Sequence, residues 1–221
     1  MQTRTEGMRM RSSGGRGRKL TMTVLLALGA GGLAGCSGLS LAPRPMAFYD
    51  LGLAEPQPLP SAAVPAQVEV KAPSWLDSSA MQYRLAWNDP DRRRAYGESR
   101  WAAPPAQLLA ASLRRALSAE GAGGGNCRLR VELDEFVQHF DSEVSSSAQI
   151  VVRAELLARQ GEVPLATRGF AIGEAAASAD ARGGVAAFRY ATRQLVADLA
   201  GWLSELDRDA ARRLNTVGRC L

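Results

Sequence analysis

Leu129-Arg130-Val131-Glu132-Leu133-Asp134-Glu135-Phe136-Val137-Gln138-His139-Phe140 is a strand with a fault in it. Leu129, Val131 and Leu133 share one face, while Arg130, Glu132 and Asp134 take the other, the period-two pattern of a half-buried strand. The phase then slips, and Phe136 and Phe140 become the apolar pair. One extra residue near Asp134-Glu135 would do this, so the spacing predicts a β-bulge there. Such a strand needs neighbours. After Ser145-Ser146-Ser147, the run Ile150, Val152, Ala154, Leu156 alternates again, and Thr167–Ile172 supplies a further short strand.

Cover for that sheet lies on both sides in the chain. Towards the C-terminus, Val185, Phe188, Thr192, Leu195, Leu199, Trp202 and Leu206 recur at three-and-four spacing. That is the stripe of a long amphipathic helix, with Arg189, Arg193 and Asp198 on its other sides. Its polar face is mixed in sign, so the stripe suits a sheet better than a membrane surface. Upstream, Pro104-Pro105 opens a second helix, as proline in a first turn does, with Leu109, Leu113, Ala116 and Leu117 as its apolar stripe and Arg114 and Arg115 outward. Gly121-Ala122-Gly123-Gly124-Gly125 ends it. This run follows a helix and lacks the Gly-Lys-Ser/Thr end of a phosphate loop, so it reads as a connector.

Earlier still, Met81, Tyr83, Leu85 and Trp87 alternate with polar or small residues, Asn88-Asp89-Pro90-Asp91 has turn chemistry, and Tyr96–Trp101 can return as the partner strand. Arg92-Arg93-Arg94 would then sit at the hairpin tip. It reads as a contact for anionic lipid or for an acidic partner, or as a solvated tip neutralised by Asp89 and Asp91. Gln67–Lys71 and Phe48–Leu51 are short strand candidates separated by a proline-rich piece, Pro56 to Pro65. The expected architecture is α/β, a single domain with one mixed sheet and two main helices packed on it.

The N-terminus has a different logic. A basic segment with Arg11, Arg16, Arg18 and Lys19 precedes an apolar run from Leu20, the parts of a secretory signal peptide. Gly29, Gly31, Gly32 and Gly35 thin that run, whereas a spanning helix wants about 20 predominantly apolar residues. The run ends in Leu33-Ala34-Gly35-Cys36, which resembles the bacterial lipoprotein lipobox. The resemblance implies acylation of Cys36 and cleavage before it, and Ser37 in place of Asp implies sorting to the outer membrane. Met8 and Met10 are alternative starts. The division expected is 1–35 signal peptide, 36–46 lipidated tether with Pro43 and Pro45, and 47–221 globular domain.

The chain of 221 residues carries a formal charge of +5, but six of its 27 basic residues and one of its 22 acids lie in residues 1–35. The mature 186 residues are therefore neutral, with 21 charges of each sign. The electrostatic footprint of a nucleic-acid binder disappears with the signal. Once Cys36 is assigned to lipid, Cys127 and Cys220 are left as an even pair in an oxidising compartment, which permits a disulfide. Two unrelated thiols are the alternative.

Catalytic signals are scarce. No Gly-x-Ser-x-Gly turn occurs. The sole histidine, His139, lies in a strand beside Asp141 with no placed nucleophile. One histidine and scattered acids do not make a metal site, and Glu132, Asp134 and Glu135 read as a strand's outer face. No catalytic, metal or cofactor residue is assigned, and the chain reads as a non-enzyme.

Phe48-Tyr49-Asp50-Leu51, Trp75-Leu76, Met81-Gln82-Tyr83-Arg84, Ser99-Arg100-Trp101-Ala102 and the helix Leu108-Leu109 to Leu117, in this order, resemble the ABC-type transport auxiliary lipoproteins. These are the PqiC-like partners of MCE proteins, which carry lipids between the inner and outer membranes. The resemblance spans roughly residues 47–206. It implies a non-enzymatic docking component, anchored by acyl chains in the periplasmic face of the outer membrane. Its partner would be the MCE-domain protein of an ABC lipid transporter, with self-association and a bound phospholipid left open and no cofactor. Two rival readings remain at this stage. One is a lipid chaperone with Trp75, Trp87 and Trp101 lining a groove; the other is a lipid-anchored envelope hydrolase using His139.

Overall fold

The computed structural model describes residues 45–118 and 125–210. Seven strands form one mixed sheet, and two helices lie on one of its faces. The strands are β1 (Ala47–Tyr49), β2 (Gln67–Lys71), β3 (Ala80–Leu85), β4 (Asp89–Trp101), β5 (Arg128–Phe140), β6 (Ser146–Leu157) and β7 (Pro164–Ala175). The helices are α1 (Pro105–Ala116) and α2 (Ala181–Ala210). The α/β architecture expected from the patterns is the one found.

β5 is the axis. β6 pairs antiparallel along its whole length, with the register shifting between Leu133 and Glu135, where the bulge was expected. The other edge of β5 is shared. β2 runs parallel to Arg128–Glu132 and β3 runs parallel to Gln138–Phe140. Beyond β3 come β4 and then the three-residue β1; beyond β6 comes β7. After the bulge both Asp134 and Glu135 face away from the helices, which restores Phe136 to the covered side.

That side holds the core. Leu129, Val131, Leu133, Phe136, Ile150, Val152 and Ala154 are buried beneath Leu109 and Leu113 of α1 and Phe188, Leu195 and Leu199 of α2. Its centre is aromatic. Phe136 and Phe188 stack at 4.2 Å between centroids, and the Trp101 ring meets them edge-on at 5.5 and 5.4 Å. Trp101 is 1% exposed, so it is interior packing and not the wall of a groove.

α2 is fixed at its start by polar groups. Asp180 Oδ1 accepts from the Gly183 amide at 2.8 Å and from the Ser178 hydroxyl at 2.9 Å, an N-cap arrangement. The Gly183 amide first, and Ser178 next, hold the Asp180 carboxyl below its ordinary range. A depressed carboxyl contributes stability that is lost as pH falls through the folded-state value, so this cap weakens only in acid. Below it, buried Gln138 donates to Ser146 Oγ and to the Asp180 carbonyl, and accepts from the Tyr96 hydroxyl at 2.9 Å. Burial, ahead of the neighbouring Tyr83 and Asp180, pushes Tyr96 well above the phenol range, so it stays a donor.

Gly184 is where helix and sheet touch. A Cβ there would stand 2.0 Å from Gln138 Oε1. Gly184→Ala is therefore expected to displace Gln138 from its three partners and destabilise the fold by about 1–3 kcal/mol. Urea denaturation would measure this; an unchanged midpoint would refute the contact.

Two expectations need correction. The β3–β4 turn is Ala86-Trp87-Asn88, since Leu85 already pairs with Asp89. Asp89–Arg94 are consequently strand, and Arg92-Arg93-Arg94 is not a hairpin tip. The turn residues at Asn88–Asp91 misled because β4 is long enough to absorb Pro90, which occupies the second position of a strand. The last strand, expected over Thr167–Ile172, runs from Pro164 to Ala175.

Candidate functional site: the two faces of the sheet and the helix-side pocket

The residues singled out from the sequence scatter. Cys36 and Cys220 lie outside the described residues, as does Gly121–Gly124, while Cys127 is buried just before β5. Arg93 is turned onto the uncovered face of the sheet, where its Nη2 lies 2.7 and 2.9 Å from the two oxygens of Glu135. Arg84 Nη2 reaches the same carboxylate at 3.3 Å, and Arg93 Nη1 donates to Gln82 at 3.0 Å. This cluster sits where the pairing along β5 passes from β2 to β3. It occupies Arg93 internally and withdraws it from any anionic partner.

The rest of the uncovered face is a balanced ladder of charge. Arg130 approaches Glu69, Glu155 and Glu162, Arg128 joins Glu162, and Arg153 faces Glu132 and Asp134. Hydrogen bonds from Arg130 first, and Arg128 next, hold the Glu162 carboxyl below its ordinary range. Opposite charges interleaved on one face give no field of one sign. At its upper end His139 Nδ1 lies 3.3 Å from Asp141. Ser147 stands directly opposite His139 across the β5–β6 pairing, a juxtaposition that only the strand register shows. Their side chains share no hydrogen bond, and the pair lies on the sheet face turned away from the helices. Among the described residues no group of three or more His, Cys, Asp or Glu could hold a metal.

The tryptophans do not converge. Trp75 precedes β3 and Trp87 follows it, both exposed, while Trp101 is core. They line no common groove.

The covered side has a small polar recess. The segment Leu51–Gln57 arches over the junction of α1 and α2 and is held down by named bonds. The Gly52 amide donates to Asp50 Oδ1, Arg115 Nε donates to the Ala54 carbonyl, and the Gln57 amide donates to the Ala116 carbonyl. Gly52 takes φ +72°, a left-handed conformation that glycine adopts freely. The space beneath is about 60 Å³ and is bordered by Ser112 of α1 and by Arg189, Thr192 and Arg193 of α2. Sequence periodicity places Thr192 in the apolar stripe. The structure shows a threonine 3% exposed whose hydroxyl has no hydrogen-bond partner. A hydroxyl interrupting an otherwise apolar stripe was the one signal available.

The family model for the ABC-type transport auxiliary lipoprotein component matches residues 49–200. The chain belongs to this family. The match runs from the last residue of β1 through most of α2. A crystal structure of a Xanthomonas campestris protein of family DUF330 superposes with a TM-score of 0.65 at 23% identity, covering 75% of this chain and 99% of that one. A second crystal structure, of an uncharacterized protein, gives a TM-score of 0.55 at 17% identity over 73% and 100% of the two chains. Both likenesses are of fold. The comparison with curated proteins finds no match. In this auxiliary lipoprotein, no helix among the described residues is long and apolar enough to cross a membrane.

Proposed function

We propose that this family member is a docking subunit of an MCE-type lipid-transport system, held at the periplasmic face of the outer membrane by acyl chains on Cys36. Residues 1–35 direct export, 36–46 form the tether and 47–221 the docking body, closed by a Cys127–Cys220 bridge. The observation that carries this reading is the family match over residues 49–200, laid on a body whose described interior is filled by side chains.

Two features support a binding role over a reactive or carrier one. The aromatic centre around Trp101 is packed ring against ring, and the recess under Leu51–Gln57, about 60 Å³, is far below the roughly 300 Å³ at which ligand pockets begin, while the wider hollow of about 390 Å³ beside Asp134, Arg153 and Phe170 lies open on the sheet. His139 has a carboxylate beside it but no hydrogen-bonded nucleophile, which removes support from the hydrolase reading. The subunit then works by position. Each acyl methylene buried in the bilayer contributes about 0.8 kcal/mol, so several chains anchor the body without a spanning helix.

Crosslinking in cells, followed by identification of the captured proteins, tests the reading. An MCE-domain protein is expected among the products. Its repeated absence under conditions that capture other envelope contacts would refute the assignment.

A further inference from the structure

We propose that the recess beneath Leu51–Gln57 binds a phosphate group. Arg189 and Arg193 lie one turn apart on α2 and border the same space. Like charges at this spacing repel, yet among the described residues neither guanidinium makes an ion pair. Each is instead positioned by packing. The Arg189 guanidinium lies against Gly52, where a Cβ would be 2.8 Å from Nη2. Arg193 stacks over the Tyr190 ring at 4.1 Å. Both arginines are exposed, and Ser112 of α1 borders the recess across from them; the Thr192 hydroxyl, between them in the chain, is sealed from solvent and takes no part.

Two forked cations and a serine bordering one small space are complementary to an oxyanion with several acceptor oxygens. The volume, about 60 Å³, is about twice one water's share of the liquid. It admits a group and not a whole lipid. Glu55 on the lip is the single acid among the bordering residues, so the site keeps a net positive charge. Leu53, 83% exposed on the same lip, offers apolar surface to whatever the phosphate is attached to. The phosphate could belong to a phospholipid headgroup or be free in solution. The site stands on its own geometry, whichever transporter the protein serves.

Titration calorimetry on the full-length chain would test it, with inorganic phosphate, monomeric dihexanoyl phosphatidylglycerol and uncharged dihexanoylglycerol as probes. The expected result is saturable binding of a phosphate-bearing probe and none of dihexanoylglycerol. The double variant Arg189→Gln/Arg193→Gln should weaken it about ten-fold or more, since two charge-assisted contacts are lost. Ser112→Ala should weaken it less, and Arg114→Gln, an exposed arginine away from the recess, should leave it unchanged. Equal affinity for both phosphate probes identifies free phosphate as the ligand; a clear preference for the lipid identifies the headgroup. Absence of saturable binding, or equal loss in Arg114→Gln and the double variant with thermal melts unchanged, would overturn the proposal.

Discussion

Phe188→Ala is expected to lower the melting temperature by roughly 10 °C. Phe188 is the side chain through which α2 reaches both halves of the sheet. It stacks on Phe136 of β5 and meets Trp101 of β4 edge-on. Removing a buried phenylalanine ring costs about 3–5 kcal/mol, part lost transfer energy and part cavity. Here the cavity cannot easily collapse, because Phe136 is held by the β5–β6 ladder and Trp101 by β4 pairing. Phe188→Leu, which refills most of the volume, should recover more than half of the loss. A melt of Phe188→Ala within a degree or two of the wild type would mean that the ring cluster is not the centre of the core.

The second large effect concerns a residue outside the described body. Cys36→Ala is expected to abolish incorporation of labelled fatty acid and to leave a precursor still carrying residues 1–35. The chemistry is all-or-none, because no alanine can form the thioether that the lipobox reading requires of Cys36. Gel mobility and fatty-acid labelling read the two consequences separately. A variant processed to the normal mature size and retained in the envelope would sink the lipoprotein reading of Leu33-Ala34-Gly35-Cys36, and with it the anchoring proposed here. The fold of residues 45–118 and 125–210 would be untouched by that outcome, so a failure of anchoring and a failure of folding can be told apart.

The sheet was largely readable because its signal is local. The phase slip between Leu133 and Phe136 announced the bulge, and the three-and-four spacing from Val185 to Leu206 announced α2, since both patterns depend only on which faces are apolar. The hairpin turn was misplaced by a few residues for an equally physical reason. Asn88-Asp89-Pro90-Asp91 has turn chemistry wherever it stands, and only pairing partners decide whether it turns or extends. Arg92-Arg93-Arg94 was misjudged with it.

The candidate sites were much less legible. Glu135 and Arg93 are 42 residues apart, and their ion pair exists because β3 and β4 fold back beside β5. Ser112, Thr192 and the segment over them come from three distant stretches of the chain. The amino-acid order by itself determined the alternating strands and the two helical stripes, because each follows from neighbours within a few residues, and it carries the Leu33-Ala34-Gly35-Cys36 stretch on which the proposed acylation rests. Only the tertiary structure decided that one arginine of the triplet is spent on an internal carboxylate. It alone showed that two arginines of α2 and a serine of α1 border one recess, since charge pairing and burial are set by groups that the fold, and not the sequence, brings together.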